Sequence, residues 1–267
     1  MSQATVIPAS SSPAVRAWRC LRLALHFLWI GFGTLVIYRC VSPDRQLACR
    51  QRWSRGILAI LGVRVEAGAT TAPPGSLIVA NHISWLDIFA INALRPASFI
   101  AKAEIRRWPF IGWLSARHDT VFLNRGSRQH ARIINAEIDA RLEAGRDVAV
   151  FPEGRTTDGT HLLEFHAALL QPAIETGHPV LPVAIAYYDE RGQRSLAPSF
   201  ADATLPQCFA AILACRSLTA CLTPLPEIPA IGQARRDVSQ AARTAIATRL
   251  GLLPASTPPE TPPDLPA

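Results

Sequence analysis

Short apolar runs that each stop at a polar turn, separated by stretches of helical periodicity, constrain this chain more than any other feature. Ser76 to Ala80, Ala97 to Ala101, Asp119 to Leu123, Asp147 to Phe151 and Val180 to Ala186 read as strands. Between the last three lie helical patterns. Ile134, Ile138 and Leu142 recur every four residues with Gly145 closing that helix, and Gly177 closes a second over Leu163 to Thr176. Cys208 to Leu222 is apolar but interrupted by Arg216 and reads as a helix followed by a strand, while Arg235 to Leu250 reads as an amphipathic helix. Strands alternating with helices predict an α/β architecture, a largely parallel central sheet flanked by helices.

The strand ends carry the chemistry. Ile78 to Ala80 runs into Asn81-His82-Ile83-Ser84-Trp85-Leu86-Asp87, which sets a titratable base beside a carboxylate. A buried carboxylate can fix the imidazole tautomer and stabilise the imidazolium that forms when the ring takes a proton, which is general-base chemistry. On a continuous helix the two would lie about 140° apart, so His82 is expected in the strand-to-helix turn. Ser84 then becomes the N-cap and Asp87 the N3 residue, at the positive end of the helix dipole. A structural histidine beside a capping acid has the same pattern. A second edge is Val148-Ala149-Val150-Phe151-Pro152-Glu153-Gly154-Arg155, continued to Gly159. Pro152 ends the strand, the glycines allow amides close to a ligand, and Glu153 and Arg155 stand where open α/β sheets bind their ligands. The run Val121-Phe122-Leu123-Asn124-Arg125-Gly126 ends in a cation and exposed amides, which suits phosphate. Each edge alone is also compatible with an ordinary strand-to-loop turn.

Taken in order, Asn81 to Asp87, Phe122-Leu123-Asn124-Arg125-Gly126, Phe151-Pro152-Glu153-Gly154 and Val180-Leu181-Pro182-Val183-Ala184-Ile185 resemble the four blocks of the glycerolipid acyltransferase family, which includes bacterial 1-acylglycerol-3-phosphate acyltransferases. The resemblance takes in Phe99 to Glu104 and Trp108 to Trp113, and spans roughly residues 75 to 190. It implies transfer of a fatty acyl group from a thioester, acyl-coenzyme A or acyl carrier protein, to a hydroxyl of a lysolipid, with no cofactor and no metal. His82 and Asp87 are the implied catalytic pair. Arg125, Gly126, Glu153 and Gly154 are the implied acceptor site, with Lys102 and Arg155 as further candidates. Glu153 cannot attract phosphate by charge, so it is expected to accept hydrogen bonds from acceptor hydroxyls or to hold Arg125. Two details depart from the family pattern: Arg155 precedes Thr156 where many members carry Thr then Arg, and Asn124 stands where members often have an acid. The third block with Asp158-Gly159 and the Trp108 to Trp113 stretch resemble a bacterial branch acting on lyso-ornithine lipid, so two acceptors are implied.

Composition narrows the alternatives. With 267 residues and 49% hydrophobic content, one catalytic domain with a small appendage is the economical architecture. A net charge of +7 and a pI near 9.6 favour an anionic surface. The cations are scattered and accompany no recognised nucleic-acid motif, which points to anionic lipid, where each well-placed cation contributes about 1 kcal/mol. Cys20, Cys40, Cys49, Cys208, Cys215 and Cys221 form no Cys-x-x-Cys pair and read as thiols of a reducing compartment. His161, Glu164 and His166 lack the partners to complete a metal site. No Gly-x-Ser-x-Gly elbow is present, which counts against a serine hydrolase. A non-catalytic lipid-binding protein would need the basic surface and apolar start without His82.

The domain reading follows. Residues 1–14 form a flexible polar leader, 15–62 a membrane-associating helical segment, 63–252 the acyltransferase domain and 253–267 a disordered tail with six prolines. The hydrophobic stretch Leu23 to Tyr38 is short of the roughly 20 residues a spanning helix needs. It is therefore read as one half of an interfacial helix pair, with Trp53, Ile57, Leu58 and Leu61 on a second helix lying along the membrane, with a span as the alternative and a soluble core helix third. Arg39, Arg45, Arg50, Arg52 and Arg55 outnumber Arg16, Arg19 and Arg22, so the positive-inside rule places the main domain on the cytoplasmic side of the inner membrane.

Overall fold

The computed structural model describes residues 10–123 and 128–252. The start of the leader, the segment holding Arg125 and Gly126, and the Pro-rich tail lie outside the described residues.

The helices are α1 (Pro13–Val36), α2 (Pro43–Leu61), α3 (Leu86–Leu94), α4 (Ile111–Arg117), α5 (Arg128–Glu143), α6 (Gln171–Thr176), α7 (Leu205–Ala214) and α8 (Arg235–Leu250). The strands are β1 (Val63–Ala67), β2 (Leu77–Ala80), β3 (Ala97–Lys102), β4 (Val121–Leu123), β5 (Asp147–Val150), β6 (Val180–Tyr188) and β7 (Leu218–Pro224). Among the described residues they form one sheet in the order β1-β7-β6-β2-β5-β3-β4. Neighbours are parallel except β6 and β7, which pair antiparallel from Val183 opposite Pro224 to Tyr188 opposite Thr219. The sheet is thus mostly parallel and flanked by helices, as the alternation of strands and helices requires.

Side chains alternate across a strand, so each face of the sheet builds its own core. Ile78 and Ala80 join residues of α1, α2, α3 and α7 in one buried cluster, whereas Leu77 and Val79 join residues of α5, α6 and α8 in the other. Ile134, Ile138 and Leu142 fill the second cluster as their spacing requires. At the opposite end of the sheet from the polar turns, Arg95 grips both oxygens of Asp147, whose Oδ1 also accepts from the Gly75 and Ser76 amides at 3.1 and 2.9 Å. That pair ties β5 to the segment entering β2 and sets the register of the central strands.

Four expectations are corrected. β1 is an additional strand that extends the sheet beyond β7. The Leu163 to Thr176 segment is a loop, a 3-10 turn over Ala167–Leu170 and only then α6. Pro172 is the physical reason: lacking an N–H and crowding the preceding turn, it is tolerated in the first turn of a helix and not in its middle. The helix after His82 starts at Leu86, with Trp85 as its cap residue and no side-chain cap bond, rather than with Ser84 as N-cap. Ser84 Oγ does accept from the Leu86 N–H at 3.3 Å. Trp53, Ile57, Leu58 and Leu61 do not lie along a membrane, since they are buried among α1, α3 and the sheet.

The apolar face turned to solvent belongs to α1. Trp18, Leu21, Leu25, Leu28, Phe32 and Leu35 are all more than half exposed. The segment Pro13–Cys40 is long and apolar enough to cross a membrane, its most apolar 18-residue stretch reaching a mean hydropathy of 1.8. Its helix starts earlier than the Leu23 to Tyr38 stretch because the arginines are spread along a helix rather than breaking it, and Arg19 donates to the carbonyls of Cys215 and Arg216 at 2.7 Å. The described end of the leader is docked as well: Ser11 donates from its amide to Ala214 and from its hydroxyl to Leu213.

Candidate active site

β2, β5 and β3 are neighbours and parallel, so the turns that follow them gather at one edge of the sheet. His82 follows β2, Glu153 and Gly154 follow β5, Lys102 ends β3 and is exposed, and Arg125 and Gly126 follow β4 outside the described residues. Topology therefore assembles sites that are up to 72 residues apart in the chain.

The turn carrying His82 is held from several sides. Asn81, fully buried, donates to the Ile185 carbonyl at 3.0 Å and accepts from the Ile185 N–H at 2.8 Å, which pins the end of β2 to β6. The His82 N–H donates to Glu153 Oε1 at 2.8 Å, and its carbonyl accepts from the Thr157 N–H at 2.8 Å. Gly154, with φ +70°, permits the tight turn after Pro152, and Gly159 lies against Ile83, where an added Cβ would approach to 2.9 Å.

His82 and Asp87 meet as the sequence pattern requires. His82 Nδ1 lies 2.9 Å from Asp87 Oδ2, and Asp87 is fully buried while the His82 side chain is 21% exposed. Oδ2 also accepts from the Ile83 and Ser84 amides at 2.7 and 2.9 Å, and Oδ1 accepts from the Tyr187 hydroxyl at 2.7 Å. An ionised carboxylate only accepts, so its contact assigns the ring proton to Nδ1 and leaves the Nε2 lone pair open; among the described residues Nε2 has no hydrogen-bond partner. The imidazole stacks on Phe151 with ring centroids 4.0 Å apart and planes 12° apart, which fixes the direction in which Nε2 points. This is the arrangement that a general base and its orienting acid require, open on one side.

Glu153 is engaged by the backbone. It is 3% exposed, and its oxygens accept from the backbone of His82 and, at 2.9 Å, of Leu163. Burial pushes its carboxyl up from the ordinary glutamate range, opposed by those two amides. The carboxylate therefore braces the His82 turn against the loop after β5. Arg155 is exposed. His161 pairs with Asp158 at 3.4 Å and Glu164 with Arg243 at 3.5 Å, so two of the three residues weighed as metal ligands are engaged with different partners, and no group able to hold a metal is found among the described residues. Sequence reasoning did not single out Tyr187. Its partner lies 100 residues away, and the available signal was a tyrosine inside an apolar strand, whose buried hydroxyl needs a partner.

The profile of the Acyltransferase family matches residues 63–186, which brackets His82, Asp87 and Glu153 and stops one residue short of Tyr187. A 1-acyl-sn-glycerol-3-phosphate acyltransferase from Neisseria meningitidis is 48% identical over 215 residues, covering 79% of this chain and 84% of the relative. The chain belongs to the glycerolipid acyltransferase family. A lyso-ornithine lipid O-acyltransferase from Pseudomonas aeruginosa is 36% identical over 233 residues, covering 87% of this acyltransferase and 89% of the relative. The crystal structure of the 1-acyl-sn-glycerophosphate acyltransferase from Thermotoga maritima shares the fold, with a TM-score of 0.61 and 23% identity over 88% of this chain and 97% of that one.

Proposed function

We propose that this acyltransferase moves a fatty acyl group from a thioester, acyl-coenzyme A or acyl carrier protein, to the free hydroxyl of 1-acylglycerol-3-phosphate, giving phosphatidic acid. The observation that carries this reading is the His82–Asp87 contact of 2.9 Å with Nε2 left open. His82 Nε2 takes the proton of the acceptor hydroxyl as its oxygen attacks the thioester carbonyl. Asp87 stabilises the imidazolium that results. Collapse of the tetrahedral intermediate breaks the carbon–sulfur bond, and the imidazolium returns its proton to the departing thiolate. No acyl-enzyme is needed. General-base help of this kind contributes about 10² to 10⁴ in rate, and positioning of the two substrates supplies much of the rest.

Arg125 and Gly126, beyond the end of β4, would hold the acceptor phosphate, with Lys102 or Arg155 in support. The enzyme would sit at the inner membrane with its catalytic domain on the cytoplasmic side and the apolar face of α1 in the bilayer. Trp108, Phe110 and Ile111 are exposed beside that face, and the Phe110 ring packs edge-on to Phe27 of α1 at 6.2 Å. Anionic headgroups would attract the neighbouring Arg106 and Arg107.

The 36% identity to a lyso-ornithine lipid acyltransferase over most of both chains supports a second reading, O-acylation of lyso-ornithine lipid. Thiol release by purified protein, measured with each lysolipid and with none, separates the cases. Release that requires lysophosphatidic acid supports the main reading, and release that requires only lyso-ornithine lipid replaces it with the second. Release without acceptor indicates hydrolysis, and no release under any condition indicates a lipid-binding protein.

A further inference from the structure

We infer that Tyr187 is a positioning residue for acyl transfer, its hydroxyl holding Asp87 as an oriented anion behind His82. The inference rests on the reading of His82 as the general base. Tyr187 stands on β6, 2% exposed, and donates to Asp87 Oδ1 at 2.7 Å. The other oxygen, Oδ2, takes the imidazole Nδ1–H and two backbone amides. Among the described residues the phenol is the partner of Oδ1, so it fixes which oxygen faces the ring.

Asp87 is fully buried, and a buried carboxylate stays ionised only if its oxygens are satisfied. The titratable groups facing the pair come from three elements. Glu153 stands on the turn after β5, Tyr187 on β6 and Cys208 on α7. Burial, and then the Asp87 charge, push the Tyr187 phenol well above its ordinary value, so it keeps its proton and remains a donor. Burial also raises the Cys208 thiol, which donates to the Pro198 carbonyl and not to Asp87. Glu153 is spent on the two backbone amides.

The consequence concerns the proton affinity of the pair. Catalysis needs neutral His82 beside ionised Asp87. A donor on Oδ1 stabilises that anionic pair, so losing it makes the pair take up a proton more readily, whichever residue holds the proton. The acid limb of activity must then move to higher pH. Packing alone would not move it.

The test is Tyr187→Phe, which removes the hydroxyl and keeps the ring, with kcat, both KM values and the kcat/KM pH profile measured beside wild type. The expected result is a fall in kcat of about ten- to hundredfold, KM values within about twofold, and an acid limb displaced upward by about one pH unit. In an Asp87→Asn background the same change should have little further effect, because Tyr187 acts through Asp87. Should Tyr187→Phe fail to fold, 3-fluorotyrosine placed at 187 keeps the shape and strengthens the donor, and the acid limb should move down instead. An unmoved limb in whichever variant folds overturns the inference. A His82→Ala variant with wild-type activity would instead overturn the reading beneath it.

Discussion

His82 fills little core volume, because its ring is partly exposed and rests on Phe151. His82→Ala should therefore keep the circular dichroism spectrum while lowering acyl transfer by about 10² to 10⁴. Activity within tenfold of wild type would remove it as the base. Asp87→Asn should be comparably severe, since an amide holds position without stabilising imidazolium. Glu153→Gln asks a different question. One of two backbone amides would lose its acceptor, so stability should fall by about 1 to 3 kcal/mol and kcat should drop with acceptor KM nearly unchanged. A raised acceptor KM at unchanged melting temperature would restore Glu153 to substrate contact. For Arg125, Arg125→Ala should raise acceptor KM by the equivalent of about 2 to 5 kcal/mol and Arg125→Lys should recover part, because an ammonium lacks the planar fork. Unchanged KM for both lysolipids would move anion binding to Lys102 or Arg155.

Among the elements, α1 and α2 divide their labour in a way that periodicity alone does not reveal. Both carry apolar residues three and four apart, yet α2 buries its stripe and α1 leaves a face open. Gly33 of α1 shows how closely the helices approach: a Cβ there would come within 2.9 Å of the Trp53 ring. At 24 residues α1 is about 36 Å long, comparable with the bilayer core. Replacing Leu25, Leu28 and Phe32 by serine should weaken cosedimentation with anionic liposomes and leave thermal stability nearly unchanged. Trp53→Ala should do the reverse, costing about 3 to 5 kcal/mol of stability. Equal liposome binding by the triple variant would place the membrane contact elsewhere, with Trp108 the next residue to change.

At the scale of the molecule, the first two helices share a core with the catalytic sheet, and a polar cluster locks the junction. His118, after α4, lies 3.0 Å from Thr34 Oγ1 of α1 and against the rings of Tyr38 and Trp53, with ring centroids 4.8 and 5.4 Å away. Arg50 of α2 donates to the His118 carbonyl at 3.1 Å and pairs with Asp119 at 3.8 Å. Burial, then the Arg50 charge, lower the His118 pKa to about 4. A base depressed in the folded state binds its proton in the unfolded chain first, so stability falls as pH drops below about 6.5 and levels off below about 4. At pH 5 the loss should be about 2 kcal/mol. His118→Gln should flatten this part of the stability profile in thermal melts at pH 7.5 and 5, and an unaltered slope would assign it to other groups.

The sequence alone determined the α/β class, the strand-end turns and the meeting of His82 with Asp87, because these depend on contacts within a few residues and on the order of strands and helices. The Asn81 to Asp87 turn is short enough that its local chemistry leaves few geometries. What only the tertiary structure decided is which surfaces and donors face one another. Glu153 became a brace of the His82 turn because the loop after β5 folds back over it. Trp53 became core rather than membrane face because α1 and α3 pack around α2. Tyr187 reached Asp87 because β6 lies beside β2. Each is a contact between residues far apart in the chain, and periodicity records which face of an element is apolar but not what covers it.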